Sequence, residues 1–171
     1  LLAKVLIDRL KESGNEKLVD KLIMVGTPQL GTPKTIAGLL HGDEINLLHG
    51  LILDKKTARG FAENMTSAYN LIPSQEYFNA VQSPVIEFDE DVKNIYDFRS
   101  LYGDKIDNWN EFKKFLLGDN GQRSEPAESD LDSPNVLKEA LFNKADTTHN
   151  ELDSWQAPEG MEVIQIAGWG L

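Results

Sequence analysis

The hydrophobic pattern opens with a helical period. In residues 1–13, leucine and valine recur every three or four positions, while lysine and acidic residues occupy the other side. This spacing predicts an amphipathic helix, and Gly14 marks its end because glycine readily adopts the left-handed conformation that closes helices. A second helix is predicted over residues 34–41, with Pro33 at its first turn and Gly42 at its end.

Other segments carry the pattern of a strand. Residues 22–25 are continuously apolar, too short for a helix, and bounded by Gly26 and Pro28. Such a run is typical of a strand that is buried on both faces of a parallel sheet. Residues 162–167 predict a second core strand after a turn that contains proline and glycine, and residues 85–88 predict a short edge strand.

Between residue 43 and about residue 150, helical patterns follow one another without a convincing buried strand, which is typical of an insertion or cap. One helical stretch contains the apolar residues Phe61, Met65, Ala68 and Tyr69. Further helix starts are predicted at Ser74, at Asp107 or Asn108 for a helix that ends at Gly118, and at Ser133 and Pro134 for a helix carrying Val136, Leu137, Ala140 and Leu141.

Two segments of this region differ from the rest in composition. Residues 47–53 contain four leucines and an isoleucine, and we interpret this patch as core packing, with a cover over a lipid-like substrate as the alternative. Residues 119–132 are polar, acidic and nearly free of apolar side chains, which predicts a mobile surface loop.

Composition narrows the classes of partner. The 171 residues carry 28 acidic and 17 basic side chains, and the formal charge of −11 opposes binding to nucleic acid. No run approaches the roughly 18 to 20 apolar residues of a membrane span, and no signal peptide is evident. Cysteine is absent, which excludes thiolate metal sites and a cysteine nucleophile and fits either a reducing or an oxidising compartment.

The histidines do not form a metal-binding pattern. His41, His49 and His149 are too far apart for the helical spacing that lets two imidazoles share an ion. His149 has several acidic neighbours, yet we interpret it as part of a solvated helix face rather than as a catalytic base. The acidic clusters lack the pattern of a calcium loop, so neither a metal nor a cofactor is expected.

The loop of residues 26–33 is the best candidate for a functional site. It repeats the sequence Gly-Thr-Pro and follows a strand whose carboxyl end is where open parallel sheets bind ligands. Thr27, Pro28 and Leu30 are therefore predicted to form part of a substrate pocket wall. The alternative is that these three residues only shape the turn.

Four stretches together resemble the α/β-hydrolases, and within them the lipase and lecithin:cholesterol acyltransferase-like branch. They are residues 1–5 (LLAKV), 25–33 (VGTPQLGTP), 67–74 (SAYNLIPS) and 163–171 (VIQIAGWGL). The resemblance implies an α/β fold with a partial parallel hydrolase sheet and a mainly helical cap. It assigns residues 1–33 and 156–171 to the hydrolase core and residues 34–155 to the cap.

The resemblance also implies chemistry on carboxylic esters or lipids, as in a lipase, an esterase or an acyltransferase. That chemistry uses a serine in a Gly-x-Ser-x-Gly turn, an acid and a histidine, together with backbone amides that stabilise an oxyanion. The 171 residues contain no Gly-x-Ser-x-Gly sequence. We therefore expect the serine before Leu1 and the acid and histidine after Leu171, and we assign no catalytic residue here.

Two further expectations follow from the sequence. The alternative function is a non-catalytic interaction module on a hydrolase-like scaffold, with residues 47–53 as its contact surface. With two predicted sheet strands, self-association through unpaired strand edges is also expected. The sequence does not indicate a cellular location.

Overall fold

The computed structural model describes residues 1–43, 54–89 and 95–168. These residues divide into two compact units: a smaller one made of Leu1–Gln29 with Thr147–Leu171, and a larger one made of Leu30–Asp146. The apolar patch of residues 47–53 lies outside the described residues. The assignment of residues 34–155 to a hydrolase cap stays a prediction.

The smaller unit contains the parallel strand pair. Helix α1 (Leu2–Glu12) leads through a 3₁₀ turn to strand β1 (Lys21–Val25), which pairs in parallel with strand β4 (Glu162–Ile166). Lys21 lies opposite Glu162 and their side chains form an ion pair of 2.8 Å. Helices with a small parallel sheet of two strands are compatible with a partial α/β fold.

The prediction that β1 is buried on both faces was wrong. Side chains alternate between the two faces of a strand, and on one face Ile23 is 54% exposed and Val25 is 64% exposed. Ile166, which lies opposite Val25, is 51% exposed on the same face. No element among the described residues covers this face. The apolar run therefore indicates that the strand is suited to burial, but it does not show that both faces are buried.

The larger unit is mainly helical. Its helices are α2 (Lys34–His41), α3 (Lys55–Ala62), α4 (Thr66–Tyr69), α5 (Gln75–Ala80), α6 (Ile95–Tyr102) and α7 (Trp109–Leu116). Strands β2 (Ile86–Glu87) and β3 (Lys105–Ile106) form a short antiparallel pair. Helix α8 (Glu139–Leu152) begins in this unit and ends in the smaller one.

Helix ends agree with the predicted capping residues. Gly42 closes α2 with φ of 73°, and the side chain of Asn108 accepts a hydrogen bond from the backbone amide of Glu111 at the start of α7. Ser74 accepts a similar bond from the amide of Tyr77 at the start of α5. These predictions held because each cap is a local interaction between neighbouring residues.

Aromatic side chains pack together in the core of the larger unit. The rings of Phe88 and Phe98 are stacked with centroids 5.6 Å apart. The ring of Phe115 meets Phe88, Phe98 and Tyr102 edge to face, with centroid distances of 5.8, 6.0 and 5.4 Å. Edge-to-face contacts place the positive edge of one ring against the negative face of another and add to the burial energy.

The predicted helical stretch through residues 61–69 is two helices, α3 and α4, with a break at residues 63–65. Its apolar stripe is also not uniformly buried: Tyr69 is fully buried, but Phe61 is 60% exposed and Met65 is 49% exposed. Of these three apolar side chains, only that of Tyr69 packs in the core.

The helix predicted from Ser133 begins only at Glu139, and residues 134–138 form an irregular segment instead. Their backbone amides are used by other elements: Asn135 donates to the carbonyl of Leu40 at 3.1 Å, Leu137 to the carbonyl of Leu116 at 2.8 Å, and Lys138 to the hydroxyl of Tyr69 at 3.0 Å. Helical bonds would have to replace these tertiary bonds, which explains why the local capping signal did not start a helix.

Arg123 holds the same irregular segment, residues 134–138, through its carbonyl groups. Its guanidinium donates to the carbonyls of Pro134 and Asn135 at 2.5 and 3.1 Å and to the carbonyl of Phe115. The guanidinium carbon also lies 4.8 Å from the centre of the Phe115 ring, a cation–π contact. Burial lowers the pKa of Arg123 from its ordinary value.

A second arginine ties down the loop that composition marked as mobile. Arg59 is 5% exposed and donates to the carbonyls of Asp130 and Glu128, each at 2.9 Å, and to that of Ala127 at 3.3 Å. Residues 119–132 therefore form a surface segment with fixed attachments. The polar composition indicated that the segment lies at the surface. It could not reveal the hydrogen bonds of Arg59 and Arg123 that attach the segment to the rest of the unit.

Replacing Arg123 with glutamine tests how much its hydrogen bonds to backbone carbonyls contribute to stability. The shorter amide cannot reach three carbonyls at once, and we expect the free energy of unfolding to fall by about 3 kcal/mol. Urea denaturation followed by circular dichroism measures this loss. The matched change at exposed Arg9 on α1 should cost no more than about 0.5 kcal/mol, and equal costs would contradict the assignment.

Replacing Tyr69 with phenylalanine tests the other support of residues 134–138. The Tyr69 hydroxyl donates to the carbonyl of Glu63 and accepts from the amide of Lys138, each at 3.0 Å, and burial raises its pKa so that the proton is retained. Loss of the hydroxyl should cost about 1–3 kcal/mol of unfolding free energy. The same change at partly exposed Tyr77 is the control, and an equally large cost there would contradict this role.

Candidate functional site

The loop of residues 26–33 begins directly at the carboxyl end of β1. The amide of Gly26 donates to the carbonyl of Ile166 at 2.8 Å, which adds one more hydrogen bond to the parallel ladder. Gly26 has φ of 58° and then turns the chain out of the strand direction. The next side chains leave from the edge of the sheet where parallel α/β proteins place ligands.

The second half of the loop packs closely against residues 71–74 of the larger unit. Two backbone hydrogen bonds join them: the amide of Thr32 donates to the carbonyl of Leu71 at 2.8 Å, and the amide of Ser74 to that of Leu30 at 2.9 Å. Between these bonds, Gly31 has φ of 86°, and a Cβ atom there would lie 2.2 Å from the carbonyl oxygen of Ile72. Glycine therefore permits a backbone-to-backbone approach that any side chain would block.

Sequence reasoning did not predict this contact between the two loops. Each loop carries a residue typical of turns, Gly31 in one and Pro73 in the other. Such a residue predicts a turn but does not indicate which distant segment packs against it. Residues 67–74 and 25–33 were singled out together only by the family resemblance. The structure shows a physical reason for that association, since residues 30–32 and 71–74 exchange backbone hydrogen bonds.

The three predicted wall residues fall into two different units. Thr27 and Pro28 belong to the smaller unit and have exposed side chains, whereas Leu30 belongs to the larger unit and is half-buried. The Thr27 hydroxyl accepts a hydrogen bond of 2.6 Å from the side-chain amide of Gln29. Their contact with a substrate stays a prediction.

His149 is buried rather than part of a solvated helix face. It is 3% exposed, and its Nδ1 atom lies 2.9 Å from the carboxylate of Asp153, whose side chain is 5% exposed. The two residues are one helical turn apart, so the pair spans the end of α8. Within the described residues, the imidazole therefore has almost no accessible surface.

Other polar contacts of the smaller unit surround this pair and join α1 to the end of α8. Lys4 donates to the carbonyl of Leu152 at 3.0 Å, and the indole of Trp155 donates to the carboxylate of Asp8 at 2.8 Å. Burial lowers the pKa of Lys4, while the charge of Asp153 raises it. Sequence analysis did not single out Lys4 and Asp8 on α1, whose partners lie at the end of α8 and just beyond it.

No group of three histidine, aspartate or glutamate side chains that could hold a metal ion occurs within residues 1–43, 54–89 and 95–168. His41 is engaged with the chain itself, because its Nδ1 atom lies 2.8 Å from the carbonyl oxygen of Leu131. His49 and part of the acidic cluster at residues 87–91 lie outside the described residues.

Comparison with known proteins identifies one family. The model of the lecithin:cholesterol acyltransferase family matches residues 3–171, which is nearly the whole chain. The match confirms the resemblance drawn from the four sequence stretches. No curated protein and no solved structure matches the chain significantly. In the part of the chain that the structure describes, none of the helices is both long and apolar enough to cross a membrane.

Two glycine substitutions in the loop separate backbone strain from close packing. Gly26 to alanine meets no atom within 4 Å, so only the left-handed conformation opposes it, and we expect a cost of about 1–2 kcal/mol. Gly31 to alanine must also displace the backbone of Ile72, and we expect a cost of about 4 kcal/mol. Thermal and urea unfolding of both variants measures the difference, and equal costs would show that the two loops do not approach so closely.

Proposed function

Because the chain belongs to the lecithin:cholesterol acyltransferase family, we propose that it forms part of an enzyme that transfers an acyl group from a lipid ester to an alcohol or to water. The observation that carries this proposal is the family match over residues 3–171. The parallel pair of β1 and β4, with a loop at its carboxyl edge, supports the proposal because hydrolase sheets use that edge for ligands.

The proposed reaction is nucleophilic catalysis by a serine. The serine hydroxyl loses its proton to a histidine and attacks the ester carbonyl, and backbone amides stabilise the negative oxygen of the tetrahedral intermediate. The alcohol then leaves with that proton, and the acyl group passes from the serine to water or to a second alcohol. The serine, acid and histidine are proposed to lie outside the 171 residues, which contain no Gly-x-Ser-x-Gly sequence.

The role proposed for this chain is to form one wall of the substrate site. Pro28 fixes the path of the loop, and Thr27 and Pro28 are exposed where the loop leaves β1. The Thr27 hydroxyl accepts its bond from Gln29, which leaves its own hydrogen available for a substrate oxygen. Half-buried Leu30 would supply apolar contact for the acyl chain.

Replacing Thr27 with valine, a side chain of nearly the same shape, tests this role. If the hydroxyl donates to the ester in the transition state, kcat/KM for p-nitrophenyl butyrate should fall about tenfold, equivalent to roughly 1.4 kcal/mol, when measured on the intact enzyme that contains the proposed serine. The same change at Thr66 on α4, outside the loop, is the matched control. An unchanged kcat/KM for the Thr27 variant would exclude Thr27 from the wall.

The same assay distinguishes the alternative function. A protein that neither hydrolyses p-nitrophenyl butyrate nor transfers its acyl group to an added alcohol, and that does not react with a serine-directed fluorophosphonate, would contradict the enzyme proposal. That result would favour the non-catalytic interaction module. A fluorophosphonate adduct on a serine within a Gly-x-Ser-x-Gly turn would support catalysis.

A further inference from the structure

The larger unit contains a partly open cavity of about 360 Å³ with a largely polar lining. Helix α3 and residues 125–128 supply most of the residues that line it. The volume lies within the range of small-molecule sites, which is roughly 300–1,000 Å³. The lining contains two basic residues and three glutamates, which are Lys56, Arg59, Glu63, Glu125 and Glu128.

The two basic residues of this lining already have partners within the protein. The ammonium group of Lys56 forms an ion pair of 3.0 Å with Glu128. The guanidinium of Arg59 is 5% exposed and donates to three backbone carbonyls within residues 127–130. Because carbonyl oxygens carry partial negative charge, they compensate part of the charge of Arg59. An anionic ligand would therefore find both basic groups engaged.

Two of the three carboxylates are less well balanced. Glu63 has a basic partner in Lys138, but the distance between Nζ and the carboxylate oxygen is 3.9 Å. Glu125 is exposed, and among the described residues it forms no ion pair. Glu63 and Glu125 therefore leave negative charge at the cavity, which a cation would balance.

The carboxylate of Glu63 is held in place by neighbouring amides. The side chain of Asn135, which is 2% exposed, donates to one carboxylate oxygen at 2.9 Å, and the side chain of Asn64 donates to the other at 3.3 Å. Each carboxylate oxygen can accept a further hydrogen bond, so these contacts leave capacity for a ligand. An acceptor that is already fixed loses little conformational freedom on binding.

Phe61 and Pro126 add apolar surface to the same cavity. The side chain of Phe61 is 60% exposed. Methylene groups of a ligand would gain free energy by covering this surface, because removal of apolar area from water is favourable. The lining thus combines two carboxylates with apolar surface, and this combination suits a cation that also contains hydrocarbon.

We propose that this cavity binds an aliphatic polyamine, in which ammonium groups are separated by short methylene chains. The ammonium groups would bind Glu63 and Glu125, and the methylene groups would cover Phe61 and Pro126. If each carbon or nitrogen atom takes about the 30 Å³ of a water molecule, the cavity holds on the order of ten such atoms, the size of spermidine. The formal charge of −11 also attracts a polycation from a distance. This binding does not depend on the proposed ester chemistry.

Isothermal titration calorimetry of the full chain with spermidine tests this site. We expect one molecule to bind per chain, and binding should weaken as sodium chloride screens the attraction. Spermidine acetylated on both terminal amines has lost two charges and should bind about tenfold more weakly. Absence of saturable binding, or equal binding of the acetylated compound, would overturn the proposal. Tighter binding of a tetralysine peptide would assign the surface to a protein partner and would also overturn it.

Removal of the two carboxylate charges distinguishes this cavity from general attraction to an acidic protein. Glu125→Gln and Glu63→Gln should each weaken spermidine binding about fivefold, because each removes one ionic contact with little change in side-chain size. Glu12→Gln on α1, exposed and outside the cavity, is the matched control and should leave the affinity unchanged. An equal loss in the control variant would show non-specific attraction and overturn the site.

Filling the cavity is an independent test. Gly60 on α3 lines the cavity, and a Cβ atom added there would meet no atom from elsewhere in the fold within 4 Å. Leucine is also a better helix former than glycine, so we expect Gly60→Leu to fold. This variant should bind spermidine about tenfold more weakly, whereas Ala80→Leu on α5, exposed and outside the cavity, should bind normally. Undiminished binding by the folded Gly60 variant would contradict the proposed site.

Discussion

The larger unit depends on how the backbone polar groups of residues 134–138 are satisfied. The segment is irregular and buried in part, so its amides and carbonyls need partners that it cannot supply itself. Those partners come from the end of α2, the end of α7, the hydroxyl of Tyr69 and the guanidinium of Arg123. Because a buried amide without a partner is costly, the positions of these elements are coupled through one short stretch of chain.

The parts of the fold that sequence predicted are those set by neighbouring residues. Gly42 ends α2 and Asn108 begins α7 through contacts within four positions, and the two apolar strands were found because a short run carries its own signal. The position of the candidate loop followed from the same logic, since Gly26 turns the chain at the end of β1. Contact of Thr27, Pro28 and Leu30 with a substrate stays a prediction.

The parts that sequence did not predict depend on distant partners. Ser133 and Pro134 are a sound local start for a helix, but carbonyls and side chains from far along the chain bond to the backbone of residues 134–138 instead. His149 has the composition of an exposed helix around it, yet packing of the smaller unit buries it with Asp153. For residues 134–138, a local helix propensity worth a fraction of a kcal/mol was outweighed by tertiary hydrogen bonds of several kcal/mol in total.

The parallel pairing of β1 with β4 has a consequence for the order of synthesis. Ribosomes release β1 early, but its partner follows only after the whole larger unit has been made. Until β4 has been made, the edge of β1 lacks its hydrogen-bonding partner. The exposed apolar side chains of Ile23 and Val25 then favour pairing of this edge with another chain. Folding of the larger unit shortens the effective loop between β1 and β4. The rate at which this unit folds therefore determines how long the unpaired edge of β1 can pair with a strand of another chain.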